Sequence, residues 1–99
     1  MVEKIIWSPL AIKSFEDIIN YLKNKFGELA VERFVQRVDD KIRLVAVRPQ
    51  MFSPTGKRKN TYLTNIRGKT TMTYRYNPDL KLLEIVVFWG MQNPDKKPD

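Results

Sequence analysis

The feature that most restricts the fold is a pair of runs, residues 70–76 and 82–89, that are rich in β-branched and aromatic side chains. Asn77, Pro78 and Asp79 separate the two runs, and residues of these types favour turns. The pattern predicts a β-hairpin over residues 70–90. The second run is apolar on both faces, which is typical of a strand covered on both sides. We therefore predict that residues 81–89 form a central strand with helices packed on it.

Alternation along the two runs assigns side chains to faces of the predicted sheet. Met72, Tyr74 and Tyr76 share one face of the first run. In the second run, one face is expected to carry Leu83, Ile85, Val87 and Trp89. Tyr74, Tyr76 and Trp89 are expected to belong to the core, because aromatic side chains of this size contribute most when buried.

Two amphipathic helices are predicted in the first half of the chain. Ser8 followed by Pro9 is a typical helix start, because Ser caps the N-terminus and Pro at the first position loses only an unpaired N–H. The first helix should end at Gly27, and the second, which follows at once, before Pro49. With almost no loop between them, the helices should form an antiparallel hairpin. Their apolar stripes are Ala11, Phe15, Ile18, Ile19, Leu22 and Phe26, then Ala30, Phe34, Val35, Val38, Ile42 and Val45.

The remaining segments complete an α+β fold. Residues 2–7 alternate as a short strand, residues 48–56 read as a loop, and residues 57–64 form a weaker strand before a turn at Gly68. The predicted order is β-α-α-β-β-β, one helical hairpin packed on a small, mostly antiparallel sheet. A single domain should span residues 1–99, with an irregular tail over residues 91–99.

The absence of cysteine and histidine restricts the chemistry available to the chain. Without cysteine there are no disulfides, iron-sulfur clusters or thiolate zinc sites, and the expected location is a reducing cytoplasm. Without histidine the chain lacks the usual general base near neutral pH and the commonest metal ligand. We expect no metal and no cofactor. No apolar run approaches the ~20 residues of a membrane span, so a soluble, unprocessed protein is expected.

The distribution of charge indicates an anionic partner, either a nucleic acid or an acidic protein. The net charge is +7 and the isoelectric point is about 9.8. Residues 52–78 include no acidic residue, and we predict that their basic residues form the surface that binds the target. An alternative is that these charges only keep strand ends and turns soluble. The six basic residues are Lys57, Arg58, Lys59, Arg67, Lys69 and Arg75.

Glu84 is an unusual charge within the predicted central strand. Apolar residues flank it on both sides, and a carboxylate in such a strand needs a cationic partner. We expect that partner to be Arg75 or Lys4.

Several short segments carry a family resemblance over nearly the whole chain. Residues 7–11 read Trp-Ser-Pro-Leu-Ala, residues 73–76 read Thr-Tyr-Arg-Tyr, and Leu-Glu-Ile-Val follows at 83–86. Residues 88–94 read Phe-Trp-Gly-Met-Gln-Asn-Pro. In this order the segments resemble the RelE/ParE superfamily of toxins from bacterial type II toxin-antitoxin systems, also called plasmid stabilisation proteins. The resemblance is nearer to the ParE branch of this superfamily.

The resemblance implies a growth-arresting toxin and leaves its target open. The ParE branch inhibits DNA gyrase, whereas the RelE branch cleaves ribosome-bound mRNA without a metal. The candidate catalytic residues for such cleavage are Lys57, Lys59, Arg67 and Arg75. Met91 stands where many relatives have arginine, so ParE-like inhibition is favoured. The alternatives are a RelE-like endoribonuclease and a catalytically degenerate relative that only binds nucleic acid.

The resemblance also implies a neutralising partner, the cognate antitoxin. Against a surface of net charge +7, this antitoxin should be acidic and partly disordered, and should fold on contact. We expect it to wrap the helical hairpin and cover the basic surface. The resemblance is compatible with a homodimer and with a toxin-antitoxin hetero-oligomer.

Overall fold

The fold is a helical hairpin packed on one face of a five-stranded sheet. The computed structural model describes residues 2–56, 58–66, 68 and 70–90. The predicted tail, residues 91–99, lies outside the described residues. The elements are β1 (Lys4–Trp7), α1 (Pro9–Phe26), α2 (Glu28–Val47), β2 (Ser53–Pro54), β3 (Thr61–Asn65), β4 (Thr71–Asn77) and β5 (Leu82–Trp89).

The sheet has the strand order β1-β5-β4-β3-β2. β1 is parallel to β5 and the other three pairs are antiparallel, which confirms the predicted α+β fold with a mostly antiparallel sheet. β5 lies between β1 and β4, which confirms the predicted central strand, but the helical hairpin covers only one of its two faces.

Two strand predictions between α2 and β4 need correction. β2 lies within the predicted loop over residues 48–56, where Ser53 and Pro54 pair with β3 at the edge of the sheet. Proline is tolerated at an edge because it lacks the N–H needed to pair on both sides. β3 begins at Thr61 rather than at residue 57, because Asn60 has a φ of 58° and interrupts the extended backbone.

A β-bulge changes which β5 side chains enter the core. Thr73 is aligned with Val87 but Tyr74 with Ile85, so the register shifts by one residue at Val86. Before the shift, Ile85 shares the core face with Tyr74, and beyond it Phe88 takes the core position opposite Met72.

The prediction that Val87 and Trp89 share the face of Ile85 was therefore wrong. They are aligned with Thr73 and Thr71 on the face opposite the helices, where Val87 is buried and Trp89 is half-buried.

Both helices begin and end at the predicted residues. Ser8 Oγ accepts a hydrogen bond from the N–H of Ala11 at 2.9 Å, and Pro9 is the first residue of α1. Gly27, with a φ of 91°, ends α1, and α2 ends before Pro49. In the predicted stripes, Phe26 and Val35 are 58% and 42% exposed. Phe26 is the last residue of α1, and Val35 is rotated about 100° around α2 from buried Phe34.

An aromatic cluster joins the two helices to the sheet. The Trp7 ring lies 5.2 Å from the Phe15 ring and 5.3 Å from the Phe88 ring, and Phe15 lies 5.7 Å from Phe34, measured between centroids. These four side chains come from β1, α1, β5 and α2. The contacts fix the angle at which the hairpin crosses the sheet.

Two serines attach α1 to the backbone of β5 beyond the end of β1. Ser8 Oγ donates to the carbonyl of Val86 at 2.6 Å, next to the bulge. Ser14 Oγ accepts the N–H of Phe88 at 3.0 Å and donates to the carbonyl of Leu10 at 2.7 Å. The serines therefore satisfy β5 backbone groups that have no strand partner after β1 ends.

Candidate functional site

Arg75 lies on β4, on the sheet face opposite the helices. Its alternation with the core residues Tyr74 and Tyr76 places it there, and its side chain is 53% exposed. Glu84 is aligned with it on β5, and Arg75 Nη1 lies 3.8 Å from Glu84 Oε1. Of the two partners expected for Glu84, Arg75 is confirmed, whereas Lys4 is aligned with Leu82.

Arg58 and Lys59 lie in the turn that precedes β3 rather than on a strand. Both are exposed, and among the described residues neither forms an ion pair. The N–H of Tyr76 donates to the carbonyl of Asn60 at 3.0 Å, which holds this turn against β4. Because Thr61 is aligned with Arg75, the turn lies beside that arginine.

A polar cleft of about 560 Å³ joins the turn to the β4–β5 hairpin. Lys59 and Arg75 contribute positive charge to its lining, and Glu84 and Asp79 contribute negative charge. Two cations at one cleft can hold an oxyanion such as a phosphate or a carboxylate. The two carboxylates equal the two cations in number, so the described lining carries no net charge, and Glu84 already pairs with Arg75.

The three other predicted cations, Lys57, Arg67 and Lys69, lie outside the described residues. The turn next to Arg67 and Lys69 was predicted correctly. Gly68 has a φ of 80°, and Ile66 N–H donates to the carbonyl of Thr70 at 2.8 Å. The roles of these three cations stay predictions.

The tyrosines of β4 belong to the core, as expected. Tyr74 is fully buried, its hydroxyl donates to the carbonyl of Pro49 at 2.8 Å, and its ring stacks on Tyr62 at 5.4 Å. Burial, with a smaller contribution from Tyr62, raises the pKa of Tyr74 well above its ordinary value. The hydroxyl of Tyr74 is therefore a poor proton donor or acceptor for chemistry in the polar cleft.

A second pair of cations was not found by the sequence analysis. Arg37 and Lys41 lie one turn apart on α2, and both are half-buried. They line a cleft of about 490 Å³ that also includes Leu44 of α2 and Asn65 and Ile66 at the end of β3. The sequence analysis considered charge along residues 52–78, whereas the pattern that indicates this pair is two like charges spaced i, i+4 on one helix.

An apolar groove runs beside β1 on the outer side of α1. Its volume is about 580 Å³, and its lining includes Trp7, Ile12 and Ile19. Ile5 and Ile6 on the adjacent edge strand are 42% and 37% exposed. An edge strand next to an apolar groove is a typical place for a partner segment to bind.

The part of the chain that the structure describes has neither a group of potential metal ligands nor a helix able to span a membrane. That part contains no cluster of acidic side chains able to hold a metal ion. Neither α1 nor α2 has the length and apolarity needed to span a membrane.

Comparison with known proteins gives a consistent family assignment. The profile described as "ParE toxin of type II toxin-antitoxin system, parDE" matches residues 5–90. A search of the curated proteins finds no significant match.

The chain also resembles three solved structures. The chromosomal ParDE system of Pseudomonas aeruginosa has a TM-score of 0.72 at 14% identity, covering 91% of this chain and 97% of that one. A YoeB/ParE toxin from Agrobacterium tumefaciens has 0.64 at 17%, covering 90% and 99%. The RelBE2 toxin-antitoxin complex of Mycobacterium tuberculosis has 0.50 at 15%, covering 92% and 94%. At such identities the likeness shows the fold.

Proposed function

The chain belongs to the ParE toxin family of type II toxin-antitoxin systems, and from this premise we propose that it arrests growth by inhibiting DNA gyrase. The observation that carries the proposal is the family match over residues 5–90, which includes both helices and, apart from Lys4, all five strands. In this proposal the protein acts by binding its target rather than by cutting a substrate.

The chemistry of the polar cleft supports binding over cleavage. Cleaving an RNA strand requires a base for the 2′-hydroxyl and an acid for the leaving oxygen, both within hydrogen-bond reach. Lys59 and Arg75 supply positive charge, but Glu84 is paired with Arg75. The buried hydroxyl of Tyr74 is bonded to a backbone carbonyl. Lys59 and Arg75 can therefore bind an anion, whereas Glu84 and Tyr74 do not supply the base and acid that cleavage requires.

Ribosome-dependent mRNA cleavage is the second candidate function. It is favoured by one observation, the presence of Lys59 and Arg75 at the same cleft, where they could hold a scissile phosphate. A relative that binds nucleic acid without cleaving it would use the same two cations.

We also propose an acidic cognate antitoxin as the partner. The net charge of +7 favours a negatively charged chain, and the apolar groove beside β1 offers the anchor that charge alone lacks.

Two assays on the purified protein test the proposed target. We expect inhibition of gyrase supercoiling in proportion to added protein, and no cleavage of mRNA on translating ribosomes. The opposite pattern would reject gyrase in favour of the RelE-like activity. Inactivity in both assays, with retained binding of RNA or DNA, would indicate the degenerate relative.

A matched pair of variants tests the proposed surface. Arg75→Ala should reduce growth arrest on induced expression, because it removes a cation from the cleft. Arg43→Ala is the control, since Arg43 is exposed on α2 and also paired with a carboxylate, Asp39 at 3.0 Å. Equal growth arrest by both variants and the wild type would remove Arg75 from the proposed surface.

A further inference from the structure

Arg37 and Lys41 carry positive charge that Asp40, the one carboxylate in the described lining of their cleft, balances only in part. Like charges at i, i+4 on a helix repel each other, and both side chains are half-buried. Within the described ranges neither forms an ion pair. Arg58 and Lys59 also form none, but their side chains are exposed. With two cations and one carboxylate, the described lining carries a net positive charge that an anionic ligand can balance.

The walls of this α2 cleft define the shape of a suitable ligand. Leu44 follows Lys41 by one turn and is 43% exposed, and the wall opposite includes buried Ile66. Asn65 already donates its amide to the carbonyl of Gly68 at 2.9 Å. A ligand here meets two cations at one end of the cleft and an apolar surface at the other.

The position of the Lys41 ammonium is also fixed by the fold. Its Nζ lies 4.8 Å from the centroid of the Phe52 ring. This cation-π contact restrains the lysine without neutralising it. Asp40, the one carboxylate among the described lining residues, accepts a hydrogen bond from Gln36 at 2.9 Å.

We propose that the α2 cleft binds an acidic segment of a partner protein, with a carboxylate on Arg37 and Lys41 and a neighbouring apolar side chain on Leu44. The arginine fork matches a carboxylate, and the spacing from Lys41 to Leu44 suits an acidic residue close to an apolar one. A nucleic-acid backbone fits less well, because its repeated phosphates would have to pass Asp40 and the apolar wall. The inference rests on the proposed function in one respect, the existence of an acidic protein partner.

Fluorescence anisotropy with short labelled peptides tests this proposal on the full chain. The probe alternates glutamate or aspartate with leucine. One comparison peptide replaces each acid by its amide, another replaces leucine by alanine, and a labelled oligothymidylate serves as the nucleic-acid probe. We expect the acidic leucine peptide to bind more tightly than the other three.

Three variants locate the binding. Arg37→Gln combined with Lys41→Gln should weaken binding of the acidic peptide on the order of tenfold, the usual effect of losing charge-assisted contacts. Lys13→Gln combined with Arg43→Gln removes the same charge from exposed positions outside the α2 cleft and should leave binding within about twofold. Leu44→Ala should weaken binding of the leucine peptide but not of the alanine peptide. Circular dichroism confirms that each variant is folded.

Three results would overturn the proposal. The first is no binding of the acidic peptide by the wild type, and the second is an equal loss in both double variants, which would mean unspecific attraction. The third is tighter binding of the oligothymidylate that depends on Arg37 and Lys41, which would make this a nucleic-acid site. Growth arrest by the wild type is scored separately, so failure of the toxin function is distinguished from failure of the cleft.

Discussion

The bond between Ser14 and β5 allows a quantitative test of how α1 is held on the sheet. Ser14 is 7% exposed, and its Oγ is the acceptor for the N–H of Phe88, a residue that is 1% exposed. Ser14→Ala leaves this buried N–H without a partner. An unsatisfied buried donor costs about 1–3 kcal/mol. Alanine recovers about 0.5 kcal/mol through its higher helix propensity. The expected net loss is therefore about 0.5–2.5 kcal/mol in the free energy of unfolding.

Urea unfolding followed by tryptophan fluorescence measures this loss, with Asn24→Ala as the control. Asn24 is exposed on the same helix, so its substitution should have only the small favourable effect of propensity. For a domain of this size, each kcal/mol lowers the melting temperature by about 4–8 °C. If Ser14→Ala were as stable as Asn24→Ala, the Phe88 N–H would have another partner and the argument for a serine attachment would be refuted.

Three further predictions concern the core, the polar cleft and the helical hairpin. Tyr74→Phe should remove a pH dependence of the free energy of unfolding. In the wild type the unfolded tyrosine ionises near pH 10 while folded Tyr74 stays protonated, so this free energy is constant below pH 10 and falls by up to about 1.4 kcal/mol per pH unit above it. Urea midpoints at pH 8 and 10.5 measure the difference between wild type and variant. Glu84→Gln should raise the salt concentration at which the protein leaves a heparin column, because Arg75 loses its counter-ion, and unchanged elution would contradict this. Phe26→Ser should change the free energy of unfolding by less than about 0.5 kcal/mol, because Phe26 is exposed. Phe34→Ala should cost about 3–5 kcal/mol, because Phe34 is buried, and thermal melting compares the two variants.

The helices were predictable because local residues determine where they begin and end. Ser8 and Pro9 satisfy the helix start, Gly27 supplies the positive φ between the helices, and Pro49 limits α2. None of these effects depends on residues distant in the sequence. The outward position of Phe26 is different, because the sequence cannot show how far the hairpin is covered at its turn.

The sheet was predictable in outline but not in register. Alternation identified β4 and β5, yet the bulge at Val86 reverses the alternation, and its effect on Val87 and Trp89 comes from pairing with another strand. The site shows the same limit. Arg75 was one of the two partners expected for Glu84, because adjacent strands bring such residues together. The position of Arg37 and Lys41 beside the end of β3 depends instead on how α2 lies over the sheet.

The two groups of cations lie on opposite sides of the sheet, which bears on how one partner would neutralise them. Arg75 faces away from the helices, whereas Arg37 and Lys41 lie on the helix side, and the edge between them is formed by β2, only two residues long. The shorter dimensions of the molecule are 25 and 22 Å. An extended chain covers at most about 3.5 Å per residue, so a segment that passes around the edge from one side to the other needs more than about seven residues. A rigid globular partner would reach one group only, whereas a disordered acidic segment can extend around the edge and cover both. The proposed antitoxin, an acidic and partly disordered chain, has this property.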